Sequence, residues 1–243
     1  MGYYEEKVLA ELRVWQRKMM KKPSLSSRIS KGVQRSVNGL IPEKFHKIVT
    51  EAIKNMSRTV LFGSEIITGQ PLKDTPLEER EKLVREKISS YKNTAAISGA
   101  GTGAGGLLLG LADFPILLSL KMKFLFDTAS LYGYNVKDYK ERLYILYVFQ
   151  LAFCSDQRRL EIYKYIQHWQ EVSKDLPRDI NEFDWRTFQQ EYRDYMDLAK
   201  MLQLVPGIGA VVGAYANYQL MDKLGETAVN AYRMRLLDDG GLI

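Results

Sequence analysis

The stretch SGAGTGAGGLLLGLADFP, Ser98 to Pro115, sets six glycines between Gly99 and Gly110 in a run without charge. Three kinds of structure use so many glycines: a phosphate cradle, a membrane span, and helices packed backbone to backbone. Gly101-Thr102-Gly103-Ala104-Gly105-Gly106 fits G-x-G-x-x-G, but that pattern holds a pyrophosphate only between the strand and helix of a βαβ unit. Here a charged helical segment precedes it and no Lys-Ser/Thr pair follows. The match carries no nucleotide site.

The membrane reading is stronger in length than in quality. Residues 93–112 are 20 consecutive uncharged positions and 201–221 are 21, against the ~20 apolar residues that a spanning helix needs. Asn93, Thr94, Ser98 and Thr102 dilute the first run; Gln203, Asn217 and Gln219 dilute the second. If the last helix starts at Pro206, its uncharged part covers roughly 24 Å, short of the ~30 Å hydrocarbon core.

Packing accounts for the glycines in every case. Gly99 and Gly103, Gly101 and Gly105, Gly106 and Gly110, and Gly209 and Gly213 lie four apart, so each pair shares a helix face smooth enough for a second helix to come close. Asp113-Phe114-Pro115 is expected at the corner of a hairpin over residues 93–132, with Asp113 capping the next helix.

Outward from this stretch the pattern is helical. Tyr4, Val8, Leu12, Trp15 and Met19 fall at spacings of 4, 4, 3 and 4 in the first helix, residues 4–22, one stripe of an amphipathic helix. A short helix is expected over Ser27–Asn38 and another from Pro42 to about Thr68. Thr75 reads as an N-cap before Pro76 and the acidic first turn Glu78-Glu79. The helix after Pro115 stops near Gly133. Residues 138–153 and 156–173 read as two more, Asp184 as the next cap, and a second glycine-rich helix runs over 206–237. No alternating strand pattern occurs. The expected fold is all-α, a multi-helix bundle in a single domain over 1–243, with basic amphipathic helices in residues 1–40 and a glycine-rich hydrophobic hairpin at 93–132.

The net charge of +6 is uneven: residues 1–58 hold 13 Lys and Arg against 5 Asp and Glu, and the remainder holds 22 against 24. One end of the chain therefore suits an anionic partner, a lipid surface or a nucleic acid. Arg13, Arg17, Lys18, Lys21 and Lys22 crowd the polar face and end of the first helix, with Trp15 on its apolar face. That combination fits an anionic membrane surface; the competing reading is a helix packed on the core with solvated charges. RRLEIYKYIQHW, residues 158–169, interleaves basic and aromatic residues as base-stacking segments do, yet Tyr163, Ile166 and Trp169 also fit an inward face, and nucleic acid is the weaker partner.

Enzyme chemistry finds little support. Glu43-x-x-His46 has a bundle iron-ligand spacing, but such sites need a second pair, and His168 has no carboxylate three residues before it. Cys154, the only cysteine, follows an apolar run and is expected in the core. Glu191, Asp194 and Asp197 read as a solvated face beside Arg193 and Lys200. No metal, cofactor or catalytic residue is assigned. The N-terminus, MGYYEEKVLAEL, lacks a basic segment followed by an apolar one, so the expected location is the cytoplasm.

GLADFPILLSLKMKFLFDTASLYGYN and LVPGIGAVVGAYANYQLMDKLGETAVNAYRMR resemble the EcsC protein family of bacilli and their relatives. The resemblance runs from the YYEEKVLAELRVWQRKM opening to the closing YRMR. In that family the gene commonly lies beside those of an ABC transporter, which implies an accessory to a membrane transport system, peripheral at the inner face of the cell membrane. It implies no activity and no cofactor.

Overall fold

The computed structural model describes residues 2–21, 43–62, 68–102, 106–195 and 210–240. Among them are nine α-helices and no strand: α1 Tyr3–Met20, α2 Glu43–Phe62, α3 Leu77–Thr102, α4 Gly106–Leu131, α5 Tyr139–Phe153, α6 Arg159–Gln167, α7 Trp169–Val172, α8 Trp185–Tyr195 and α9 Ala210–Asp238. The all-α expectation holds. The short helix expected over Ser27–Asn38 lies outside the described residues.

Local signals mark the helix ends, among them the expected cap at Asp184 and stop at Gly133. Asp138 caps α5 by accepting from the Lys140 amide at 2.9 Å, and Asp184 caps α8 by accepting from the Thr187 amide at 3.1 Å. Gly133, at φ +96°, ends α4 in the left-handed conformation, and the Tyr134 amide reaches back to the Ala129 carbonyl at 3.0 Å. Thr75 behaves differently. Its hydroxyl donates to the Lys73 carbonyl, and the Pro76 carbonyl accepts the first helical bond, from Arg80.

The hairpin corner is not at Asp113-Phe114-Pro115. α4 begins at Gly106 and runs through all three residues. Pro115 offers no N–H to the Leu111 carbonyl, but Phe114, Leu117 and Leu118 are buried around it, and their packing outweighs one lost bond.

α9 organises the bundle. Its 29 residues extend roughly 43 Å, and α1, α3, α4, α5 and α6 all pack against it. Arg233 and Arg235 sit two residues apart, about 200° around the helix, so they leave it on opposite sides. Arg233 grips Glu81 of α3 with two bonds, Nε–Oε1 at 2.7 Å and Nη2–Oε2 at 2.6 Å, and reaches Glu11 of α1 at 3.0 Å. Tyr4 and Tyr132 donate to the same buried carboxylate at 2.6 and 3.3 Å. Arg235 pairs with Glu141 of α5, to which Tyr232 donates at 2.7 Å, and it lies over the rings of Tyr134 and Tyr144. Burial works to raise the Glu81 carboxyl, but the bonds from Arg233 hold it below the ordinary value. At Glu141 burial prevails and the carboxyl is raised.

Gly225 is the described glycine that sets a helix separation. A Cβ there would stand 2.9 Å from Cγ1 and Cδ1 of Ile88 on α3. Gly213, Asn217, Met221 and Gly225 follow at steps of four and so share one face of α9.

Two stability tests follow. Gly225→Leu should push α3 from α9 and lower stability by about 1–3 kcal/mol in urea titration, with partial recovery on adding Ile88→Ala; an unchanged midpoint would reject the close contact. Glu81→Ala should cost about 3–5 kcal/mol by leaving Arg233 short of its partner, and Glu81→Leu with Arg233→Met should recover much of the loss. A single variant as stable as the parent would show the pair to be dispensable.

Candidate functional site

The contacts of α9 fix which residues stand at the same height. Arg233 meets Glu81, Gly225 meets Ile88 and Asp222 meets Lys92, so α3 and α9 run antiparallel. Glu11 with Arg233 and Lys18 with Glu226 set α1 antiparallel to α9 as well. Tyr132 with Glu81 and Phe124 with Tyr91 do the same for α4 against α3. The C-terminal ends of α1 and α3 and the N-terminal ends of α4 and α9 therefore lie at one end of the bundle.

On α3, α4 and α9 that end is almost free of charge. Beyond Lys92, α3 has ten uncharged residues, and before Asp222, α9 has twelve. In the facing part of α4, residues 106–120, Asp113 alone is charged. Yet large apolar side chains are exposed there: Ile97 at 73%, Ile116 at 62%, Tyr215 at 66% and Tyr218 at 38%. Ile97 stands five residues past Lys92; Tyr218 and Tyr215 stand four and seven before Asp222. These side chains share a level on three adjacent helices, an arrangement typical of surfaces that meet a partner or lipid.

Below them lies a level of lysines. Lys92 pairs with Asp222 at 2.6 Å and lies over the Tyr218 ring at 4.1 Å. Lys123 of α4 pairs with Asp127, and Lys18 pairs with Glu226 at 3.2 Å. Lys21, at the end of α1, and Lys223 are exposed. Lys87, 3.5 Å from Asp127, stands among them.

The basic helix lies against the bundle. Trp15 is buried against the edge of Tyr163, ring centroids 5.8 Å apart, in the same stripe as Val8, Leu12 and Met19. Trp15 therefore does not face a membrane, because the core needs that stripe more than any surface does. The cations of α1 remain outside: Arg13, Arg17, Lys18 and Lys21 are exposed. Arg17 donates to the Arg13 carbonyl, and Arg159 donates to the Lys21 carbonyl at 2.9 Å, tying down the end of the helix. Lys22 lies outside the described residues.

Of the packing glycines, Gly99 and Gly101 belong to the last turn of α3, Gly106 and Gly110 to the start of α4, and Gly213 to α9. Asp113 and Pro115 lie within α4. Gly103, Gly105 and Gly209 lie outside the described residues. Tyr163, Ile166 and Trp169 are buried and offer no ring for stacking on bases. Cys154 is buried in the core, its thiol donating to the Leu151 carbonyl at 3.4 Å. Among the described residues, no group of His, Cys, Asp or Glu is placed to hold a metal.

Two ionisable groups of α4 flank the boundary between the uncharged end and the body. Lys121 is completely buried, and its ammonium nitrogen has no hydrogen-bond partner among the described residues; burial pushes it down to about 7. Asp127 accepts from Tyr91 at 2.9 Å and Thr68 at 3.0 Å as well as from Lys123, and lies 3.5 Å from the Lys87 ammonium. Burial acts to raise its carboxyl, but these donors hold it below the ordinary value.

The sequence profile of the EcsC protein family matches residues 6–237. The chain is 47% identical to Protein EcsC of Bacillus subtilis (strain 168), over 96% of each chain. It is 26% identical to the uncharacterized protein YdbA of the same strain, over 93% of this chain and 90% of that one. No solved structure matches. The chain belongs to the EcsC protein family. No described helix is long and apolar enough to cross a membrane.

Lys121 yields a pH test. A lysine held near 7 in the fold but near its ordinary value in the unfolded chain gives the unfolded state the extra proton between those limits. Stability should therefore rise with pH from about 7 to 10, and fall again as pH drops through that window. Lys121→Met should be more stable than the parent at pH 7 and lose this rise. Equal slopes in thermal melts across the window would show that Lys121 does not titrate in this way.

Proposed function

We propose that this EcsC-family protein is a non-enzymatic accessory factor that binds the inner face of the cell membrane peripherally, through the uncharged end of α3, α4 and α9. The observation that supports this most is the shared level of Ile97, Ile116, Tyr215 and Tyr218 above the lysines. Ten uncharged residues of α3 reach roughly 15 Å, half of the ~30 Å hydrocarbon core. That depth suits entry into one leaflet.

Lys18, Lys21, Lys92, Lys123 and Lys223 would then stand at headgroup height, their alkyl stems along the bundle and their ammonium groups toward phosphate. Each cation near an anionic surface contributes about 1 kcal/mol. α1 acts in this reading by charge, since its Trp15 is covered. A link to an ABC transport system rests on the family's gene neighbourhood and extends the reading; the same exposed end, or the glycine faces that lead to it, would meet transporter helices.

Cosedimentation with vesicles tests the bilayer contact. The protein should pellet with vesicles containing phosphatidylglycerol and bind phosphatidylcholine alone more weakly. Ile97→Glu with Tyr215→Glu should reduce binding to both by at least about tenfold, the loss of one buried apolar side chain, without a change in melting temperature. Lys18→Gln with Lys21→Gln should weaken only the anionic case. Absence of vesicle binding by the parent, or full binding by Ile97→Glu with Tyr215→Glu, would overturn the reading.

A further inference from the structure

On the side of the bundle, α2 and α4 leave an open groove of ≈ 500 Å³, within the roughly 300–1,000 Å³ of ligand sites. Its wall is mostly apolar, Met56 and Val60 from α2 facing Leu118, Met122 and Phe126 from α4, with Asn55 and Thr59 of α2 also lining it. Ser119 adds little polarity, because its hydroxyl donates to the Pro115 carbonyl at 2.8 Å. Two methionines among these residues make the wall adaptable to a flexible chain.

Charge selects the occupant. Lys123 lines the groove toward Phe126 and is half-exposed beside Asp127. A second ammonium, Lys87, stands 3.5 Å from the same carboxylate. Tyr91 and Thr68 donate to Asp127 as well. Two ammonium groups around one carboxylate leave one positive charge at the edge of an apolar trough. A ligand with one negative charge and one hydrocarbon chain completes that arrangement. Two-chain phospholipids would leave a chain outside a single groove.

We propose that the groove between α2 and α4 binds a long-chain fatty-acid anion, its hydrocarbon along Met56, Val60, Leu118, Met122 and Phe126 and its carboxylate at Lys123. The site does not require the bilayer contact proposed above, and the assay contains no vesicles.

Dansyl-labelled undecanoic acid is the probe, followed by fluorescence and displaced by palmitate or hexadecanol. The intact chain should enhance and blue-shift the probe emission, and palmitate should displace it about tenfold better than hexadecanol, the worth of one charge-assisted hydrogen bond. Lys123→Gln should bring palmitate to the level of the alcohol. Ser119→Trp, an exposed position on the groove wall, should abolish probe binding with an unchanged melting curve; Asn55→Trp fills the groove from α2 if the first variant fails to fold. Ile97→Glu with Tyr215→Glu should leave probe binding intact, which separates failure of this site from failure of the membrane reading. Absence of probe binding, full binding by folded Ser119→Trp or Asn55→Trp, or equal displacement by palmitate and hexadecanol would overturn the proposal.

Discussion

The two-bond grip of Arg233 on Glu81 places a full charge pair inside the bundle, where desolvation makes either partner alone expensive. The pair therefore tolerates little slip between α3 and α9, since moving either helix by one turn would bury two unmatched charges. Glu11, Tyr4 and Tyr132 join the same carboxylate–guanidinium centre from α1 and α4, so four helices share one vertical origin. Two residues on, Arg235 fastens α5 through Glu141 on the opposite side of α9. The heights of all other groups are measured from this point.

From that origin the bundle divides along its length. Toward residues 77 and 238 it is held by ion pairs and stacked tyrosines, among them Tyr132 on Tyr232 at 5.3 Å. Toward residues 102 and 210 charges stop at Lys92 and Asp222, and glycine and alanine become frequent. Helical glycine costs up to ~1 kcal/mol each relative to alanine, so several there need compensation by close packing. Gly225 displays the principle on the described part of α9, where Ile88 occupies the space a side chain would need. The register set by Arg233 carries Gly213 toward the height of Gly101, aligning the two glycine-rich stretches that lie far apart in the chain.

Much of the helical content was legible because it depends on local signals. The stripe from Tyr4 to Met19, the cap at Asp184 and the stop at Gly133 are written in spacing and residue type. The hairpin corner was misplaced because proline is a strong breaker in isolation, whereas here Phe114, Leu117 and Leu118 hold α4 together across it. Trp15 looked equally suited to lipid and core, and only the position of Tyr163 decides between them. Glu81, Arg233, Lys121 and Lys92 escaped notice for a different reason. Each looks like an ordinary helical charge, and its significance comes from residues many tens of positions away. The one available hint was negative: charge ends abruptly at Lys92 and resumes abruptly at Asp222.

The division along the bundle also separates two kinds of restraint. In the body, Glu81 and Asp127 are held in their charged forms by dedicated partners, so their contribution is complete above the ordinary carboxylate range and is lost as pH falls. At the opposite end, α3 beyond Lys92 and α9 before Asp222 carry no charge. Lys121, buried at the junction without a hydrogen-bond partner among the described residues, is costly for a purely structural position. Any displacement of the uncharged end that admitted water to its amine would be favoured by the hydration of that charge. The buried lysine thus biases the junction toward opening, and the apolar packing of Phe114, Leu117 and Leu118 opposes it.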